Sequence, residues 1–167
     1  MAIRFSNPKT LAKPPGYSYV VETTGPAKTA YFAGQLGLDI DNKFVGAPGD
    51  FRAQCAQAFE NMTLALKAAG ASWNNVVKIN NYLVGIETNM AAFREVRDRY
   101  LNTKAPPAST TIGVPALARP GGLFEIEAIA VLPLKQRGAS TAGMKPGRGA
   151  VKKTAKTKRR KPRRRSR

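Results

Sequence analysis

Residues 106–114 read PPASTTIGV: two prolines and an alanine, then three adjacent hydroxyl side chains, Ser109, Thr110 and Thr111, and an apolar run. Hydroxyls donate and accept hydrogen bonds, so this stretch can line a polar pocket, yet nothing in it ionises. Its simplest reading is a strand leaving a proline turn. Acid–base chemistry has to come from elsewhere in the chain. The closing run LFEIEAIAVLP carries Glu125 and Glu127 two residues apart. On a strand that spacing puts both on one face, with Phe124, Ile126 and Ala128 on the other. Ile129 and Val131 continue the glutamate face as apolar surface, and a carboxylate at the edge of such a surface is a candidate for perturbed acidity.

Absences restrict the chemistry further. The chain has no histidine, which excludes imidazole-dependent serine, cysteine or metal chemistry within one chain. Cys55 is the only cysteine, so an intrachain disulfide is excluded. One cysteine and carboxylates make a poor zinc ligand set, and no Gly-rich loop followed by Lys-Ser/Thr is present to cradle a phosphate. No metal site and no cofactor are expected.

The elements that position these groups follow from periodicity. YSYVVET and TAYFAGQLGLD are β-rich runs separated by Gly25-Pro26, a pairing that predicts a hairpin. Asp50 is placed to cap a helix over FRAQCAQAFENMTLALKAA. Within it Cys55, Phe59, Met62, Leu66 and Ala69 recur at spacings of four and three, so Cys55 reads as a core residue rather than a nucleophile. Gly70 supplies the stop. NNVVKINNYLVG predicts a strand with Val77, Ile79 and Leu83 on one face. Asn89 or Thr88 caps a second helix through NMAAFREVRDRYLN, striped by Met90, Phe93, Val96 and Tyr100. Arg94 and Arg99 read as part of its solvated face. ASTTIGV and LFEIEAIAVLP close the domain as strands joined by PALARPGG. The order strand, strand, helix, strand, helix, strand, strand is an α+β arrangement, with the helices packed on one face of a mixed sheet.

Charge divides the 167-residue chain in two. Residues 135–167 hold 15 of the 28 Lys and Arg and no acid, leaving 13 bases against 10 acids in residues 1–134. The first part is the folded domain. The second lacks aromatic residues and nearly all large aliphatic ones, so it is expected to stay disordered. Its run KKTAKTKRRKPRRRSR, residues 152–167, resembles the Lys/Arg/Ala/Pro tails of linker histones and predicts sequence-independent contact with nucleic-acid phosphates. The alternatives are a solvated extension or a nuclear import signal. No apolar run reaches the roughly 20 residues that cross a bilayer, and MAIRFSNPKTLAKPPG has no apolar leader core. A cytoplasmic location is the default, with nucleoid or nuclear association through the tail.

FAGQLGLD, QAFENMTLALKAAGASWNNVVKINNYLV, FREVRDRYL and PPAS followed by LFEIEAIAVLP together resemble the RidA/YjgF family over residues 17–132. The resemblance implies a chorismate-mutase-like α+β fold, a homotrimer, and ligand clefts between subunits. It also implies cofactor-independent hydrolysis of small enamine or imine metabolites to a 2-oxo acid and ammonia. By position it assigns Glu125 to hold a catalytic water, and Tyr17 and Gly34 to the binding cleft. The family's carboxylate-clamping arginine is replaced by Ser109, a cysteine two residues on by Thr111, and an asparagine of the second helix by Arg97. Arg97 and Arg119 are then the candidates to bind an acidic substrate. The resemblance admits two alternatives, a family member that binds metabolites without deaminating them, and a nucleic-acid-associated protein of endoribonuclease type.

The tail reading is tested by truncation. The full chain is expected to bind duplex DNA or RNA with an affinity that falls steeply with salt, and a chain ending at Leu134 to lose that binding. Unchanged salt-sensitive binding after truncation removes the tail as the contact surface.

Overall fold

A computed structural model describes residues 1–134. The expectations placed on the basic tail, residues 135–167, lie outside the described residues. The elements are β1 (Ala2–Ser6), β2 (Val20–Thr24), β3 (Ala27–Leu36), α1 (Phe51–Ala68), a 3-10 turn (Trp73–Asn75), β4 (Val76–Val84), α2 (Ile86–Arg97), β5 (Ala108–Val114) and β6 (Phe124–Pro133). Four strands form one mixed sheet in the order β3-β6-β4-β5, with only the β4–β5 pair parallel. Two helices cover one face, as the α+β reading requires. Among the described residues no helix is long and apolar enough to cross a membrane.

The core sits between α1 and the middle of the sheet. Phe59, Met62 and Leu66 of α1 meet Ile79 and Leu83 of β4 and Phe124, Ile126 and Ala130 of β6, all buried. Its centre is aromatic: Phe59 stacks on Phe124 at 5.7 Å and on Tyr100 at 5.0 Å, and Phe93 of α2 tilts against Phe124 at 5.5 Å. These pairs add to the area that the rings bury. Asp50 caps α1 by accepting from the Ala53 N–H at 2.9 Å, and Cys55 is fully buried in the core.

Several local expectations are corrected. No hairpin joins β2 to β3. β2 pairs with β1 instead, and β3 with β6. Pro26 offers no N–H to a first rung between β2 and β3. The strand at Ala2–Ser6, where the sequence reading placed no element, supplies the alternative partner. In β4 the buried face is Val76, Ile79, Asn81 and Leu83 rather than one containing Val77. A bulge against β6 between Val76 and Lys78 inserts Val77 and shifts the alternation by one. α2 begins at Ile86 with Gly85 as its N-cap, not at Thr88 or Asn89. Those two side chains bond the Gly85 and Val84 carbonyls instead, at 3.0 and 2.8 Å. The helix ends at Arg97, so Tyr100 packs on Phe59 from beyond its terminus.

Removing the central ring by Phe59→Ala is expected to destabilise the protein by about 3–5 kcal/mol, the usual cost of deleting a buried aromatic side chain. Denaturant unfolding followed by circular dichroism measures it.

Candidate functional site

The strand registers assign each polar side chain to a face of the sheet. Asn81 lies opposite Ile126 of β6 and opposite Thr111 of β5, so Asn81 and Thr111 share the helix-covered face with the core. Ser109, two residues before Thr111, shares it too. Tyr82 lies opposite Glu125, and Asn80 opposite Glu127, so the glutamates take the open face.

On the helix side a cleft of about 360 Å3 opens between β5 and α2. Ser109 and Thr111 form its floor, Met90, Phe93 and Arg97 one wall, and Pro15 and Tyr17 the other. The second wall is held by Ser18, a buried residue that escaped sequence reasoning. Its hydroxyl donates to the Pro106 carbonyl at 2.7 Å and its N–H to the Pro107 carbonyl at 3.1 Å. Four of the residues assigned by resemblance, Tyr17, Arg97, Ser109 and Thr111, therefore meet in one place.

Arg97 is the only charged residue among the buried described ones, at 7% exposure. Three contacts hold its guanidinium. Nε and Nη2 bond the Asp98 carboxylate at 2.8 and 2.7 Å, and Cζ lies 5.6 Å from the centre of the Phe93 ring. Gly16 makes room for it. There φ is +89°, and a methyl group would land on the guanidinium, so position 16 takes glycine for both backbone and space. One edge of the guanidinium is thus tied to Asp98, and the Nη1 edge has no hydrogen bond among the described residues. Arg94 and Arg99 are exposed.

Asn81, also missed, forms the base of the cleft floor. Its Nδ2 donates towards Ser109 Oγ at 3.1 Å, the Thr110 carbonyl at 3.2 Å and Thr111 Oγ1 at 3.2 Å. Its Oδ1 is buried without a partner. An orphaned buried acceptor costs about 1–3 kcal/mol, so the donor side of the amide dictates its orientation. The signal was present in the chain: two adjacent asparagines in an alternating strand, one of them at a core position.

The remaining assigned residues lie elsewhere. Gly34 sits where β3 bulges against β6 between Phe32 and Gln35, and Glu125 packs directly on it. Beside them on the open face, Glu127 accepts from Asn80 Nδ2 at 2.6 Å and from the Tyr82 hydroxyl at 3.0 Å. Burial, then the bond to Glu127, raises the Tyr82 phenol above its ordinary value. Lys78 donates to Thr110 Oγ1 at 2.6 Å. Burial lowers its ammonium below the ordinary value, against the pull of Glu127. Arg119 is in neither group. It bonds the Asn42 side chain and carbonyl and lies 5.7 Å over the Phe44 ring, bracing its loop instead of facing Ser109. Burial pushes the Cys55 thiol up to about 12, so it stays protonated and inert. No cluster of three or more Cys, Asp and Glu among the described residues is placed to hold a metal ion.

Comparison with known proteins agrees with this fold. The family model described as endoribonuclease L-PSP matches residues 9–132. Protein DfrA of Myxococcus xanthus is 36% identical over 115 residues, 69% of this chain and 84% of that protein. The 2-iminobutanoate/2-iminopropanoate deaminase of Mus musculus is 36% identical over 115 residues, covering 69% and 80%. Among solved structures, a protein of unknown function of the conserved Rid family, YyfB from Yersinia pestis, superimposes with a TM-score of 0.69 at 35% identity. That match covers 79% of this chain and 100% of that one.

The contact between Gly34 and Glu125 is testable by a double-mutant cycle. Gly34→Ala is expected to cost about 1–3 kcal/mol through overpacking, and to cost much less in a Glu125→Ala background. Denaturant midpoints of the four proteins measure the coupling.

Proposed function

Because the chain belongs to the RidA/YjgF family, whose model carries the description endoribonuclease L-PSP, we propose that it hydrolyses small 2-imino acids to 2-oxo acids and ammonia, with Arg97 as the carboxylate anchor. The observation that carries this reading is the buried Arg97 guanidinium in one cleft with Ser109 and Thr111. The family's clamp arginine would stand on β5, where this chain has Ser109. Here the positive charge reaches the same cleft from the end of α2. The untied Nη1 edge and the two hydroxyls supply several donors to the two oxygens of a carboxylate, and charge-assisted bonds of this kind are the strong ones.

The hydrolytic step needs a water, a proton acceptor and a proton donor. Water adds to the carbon of the C=N bond while the nitrogen takes up a proton. The resulting carbinolamine then expels ammonia as its C–O bond becomes C=O. Glu125 takes a proton from the water and passes it to the nitrogen, then carries the carbinolamine's hydroxyl proton to the leaving amine. Within one subunit the sheet separates Glu125 from the Arg97 cleft, so the reaction requires Glu125 of the partner subunit to complete the site. β5 is the sheet edge, which leaves the cleft open on that side for a second copy to approach. A second reading, a metabolite-binding member without hydrolysis, is favoured by that same separation.

One assay separates the two. An imine generated by an amino-acid oxidase is expected to disappear faster when the full-length protein is present at micromolar concentration. Arg97→Met is expected to lower kcat/KM by about 100-fold, the scale of a lost charge-assisted bond. No acceleration by the native protein leaves the binding reading.

A further inference from the structure

The Asn81 amide holds three oxygens with two protons, and this arrangement has a direct chemical consequence for the cleft. One of the three, the Thr110 carbonyl, can only accept. It therefore fixes which end of the amide faces β5. Were the amide reversed, Oδ1 would sit against that carbonyl, acceptor against acceptor. The nitrogen must point to β5, and the orphaned Oδ1 on the far side is the result. Ser109 Oγ and Thr111 Oγ1 lie at 3.1 and 3.2 Å from the same nitrogen, so each presents a lone pair to it. A hydroxyl that accepts along one direction must send its own proton along another. Among the described residues neither hydroxyl donates to any group. Both protons remain available to whatever occupies the cleft that these two side chains line.

We propose that Asn81 is a positioning residue that turns the Ser109 and Thr111 hydroxyls into outward-facing donors, making the cleft floor selective for paired acceptor oxygens, a carboxylate above all. This deepens the proposed function and rests on its placement of the substrate carboxylate beside Arg97. It adds a different means of selection. Arg97 attracts negative charge from the wall, whereas the floor reads hydrogen-bond polarity. A ligand group that donates, such as a primary amide nitrogen or an ammonium, finds two misdirected protons there. In this cleft two neutral hydroxyls and a buried amide take over part of the recognition that a single charged fork on β5 would otherwise supply.

The test measures pyruvate binding to the full-length protein by NMR titration, followed through the methyl resonance of Met90, which lines the cleft and is kept in every variant, below each variant's own unfolding midpoint. Asn81→Val removes the amide and frees both hydroxyls to rotate. It is expected to weaken pyruvate binding about 5- to 10-fold. The double variant Ser109→Ala/Thr111→Val is expected to weaken it at least as much. Adding Asn81→Val to that double variant is expected to change nothing more, because Asn81 acts only through the two hydroxyls. A merely structural role for Asn81 predicts instead that the losses multiply, and that outcome overturns the proposal, as does native-like binding by Asn81→Val. Should Asn81→Val not fold, Asn81→Ser carries the same cycle, since it stays small and polar but loses the amide protons. If the native chain does not bind pyruvate, the Arg97 anchoring fails first and the positioning role with it. If the native chain binds and Asn81→Val binds equally, only the positioning role fails.

Discussion

The parallel register between β4 and β5 is the constraint on which the rest of the structure depends. It sets Asn81 against Thr111, and through the pairing of β4 with β6 it sets Asn81 against Ile126. Because side chains alternate with a period of two, a slip of one residue would move Ser109 and Thr111 to the open face and bring Thr110 and Ile112 under the helices. Asn81 opposes it, because its Nδ2 reaches Ser109 Oγ and Thr111 Oγ1 only while those residues share its face. On the other side of β4, Phe124, Ile126 and Ala128 are buried, and a slip of β6 would bury Glu125 and Glu127 instead. The faces of both neighbours are thus set by their pairing with β4.

The two faces of the sheet consequently carry different chemistry. The helix side gathers one buried cation and neutral donors. The open side gathers carboxylates, a phenol and an amine, with Tyr31 78% exposed among them. That division explains why neither face alone resembles a complete hydrolytic site. On the proposed reading, the charge that anchors a carboxylate comes from Arg97 rather than from the position of Ser109. The charge resides on a helix end, where a basic side chain is favourable to the helix dipole and disturbs no strand ladder.

What was legible in the chain beforehand divides along the same physical line. Local signals were read well. The Asp50 cap, the four-and-three spacing that buries Phe59 and Met62, and the alternation of β6 each depend on neighbours in sequence. Features set by distant pairing were not. The bulge at Val77 exists only against β6, and β2 takes β1 as its partner although β3 follows it two residues later. At the site, residue types alone left Arg97 and Arg119 equivalent. Their partners separate them, since Arg119 is engaged by Asn42 and Phe44 whereas Arg97 is drawn against Gly16 and Phe93. Ser18 was invisible for a related reason, because it matters only through a turn far along the chain, and Asn81 stood out by its core position while its partners on β5 did not.

The clasp at Ser18 gives the cleft walls unequal stiffness. The α2 wall is continuous with the aromatic core, and displacing it would disturb Phe93 and Phe124. The other wall, Pro15 to Ser18, is joined to the turn before β5 by two hydrogen bonds to Pro106 and Pro107. Opening it costs those bonds and little apolar burial, far less than global unfolding. A ligand wider than the resting cleft is therefore accommodated from the tyrosine side, and the arginine side serves as a fixed reference against which it is measured.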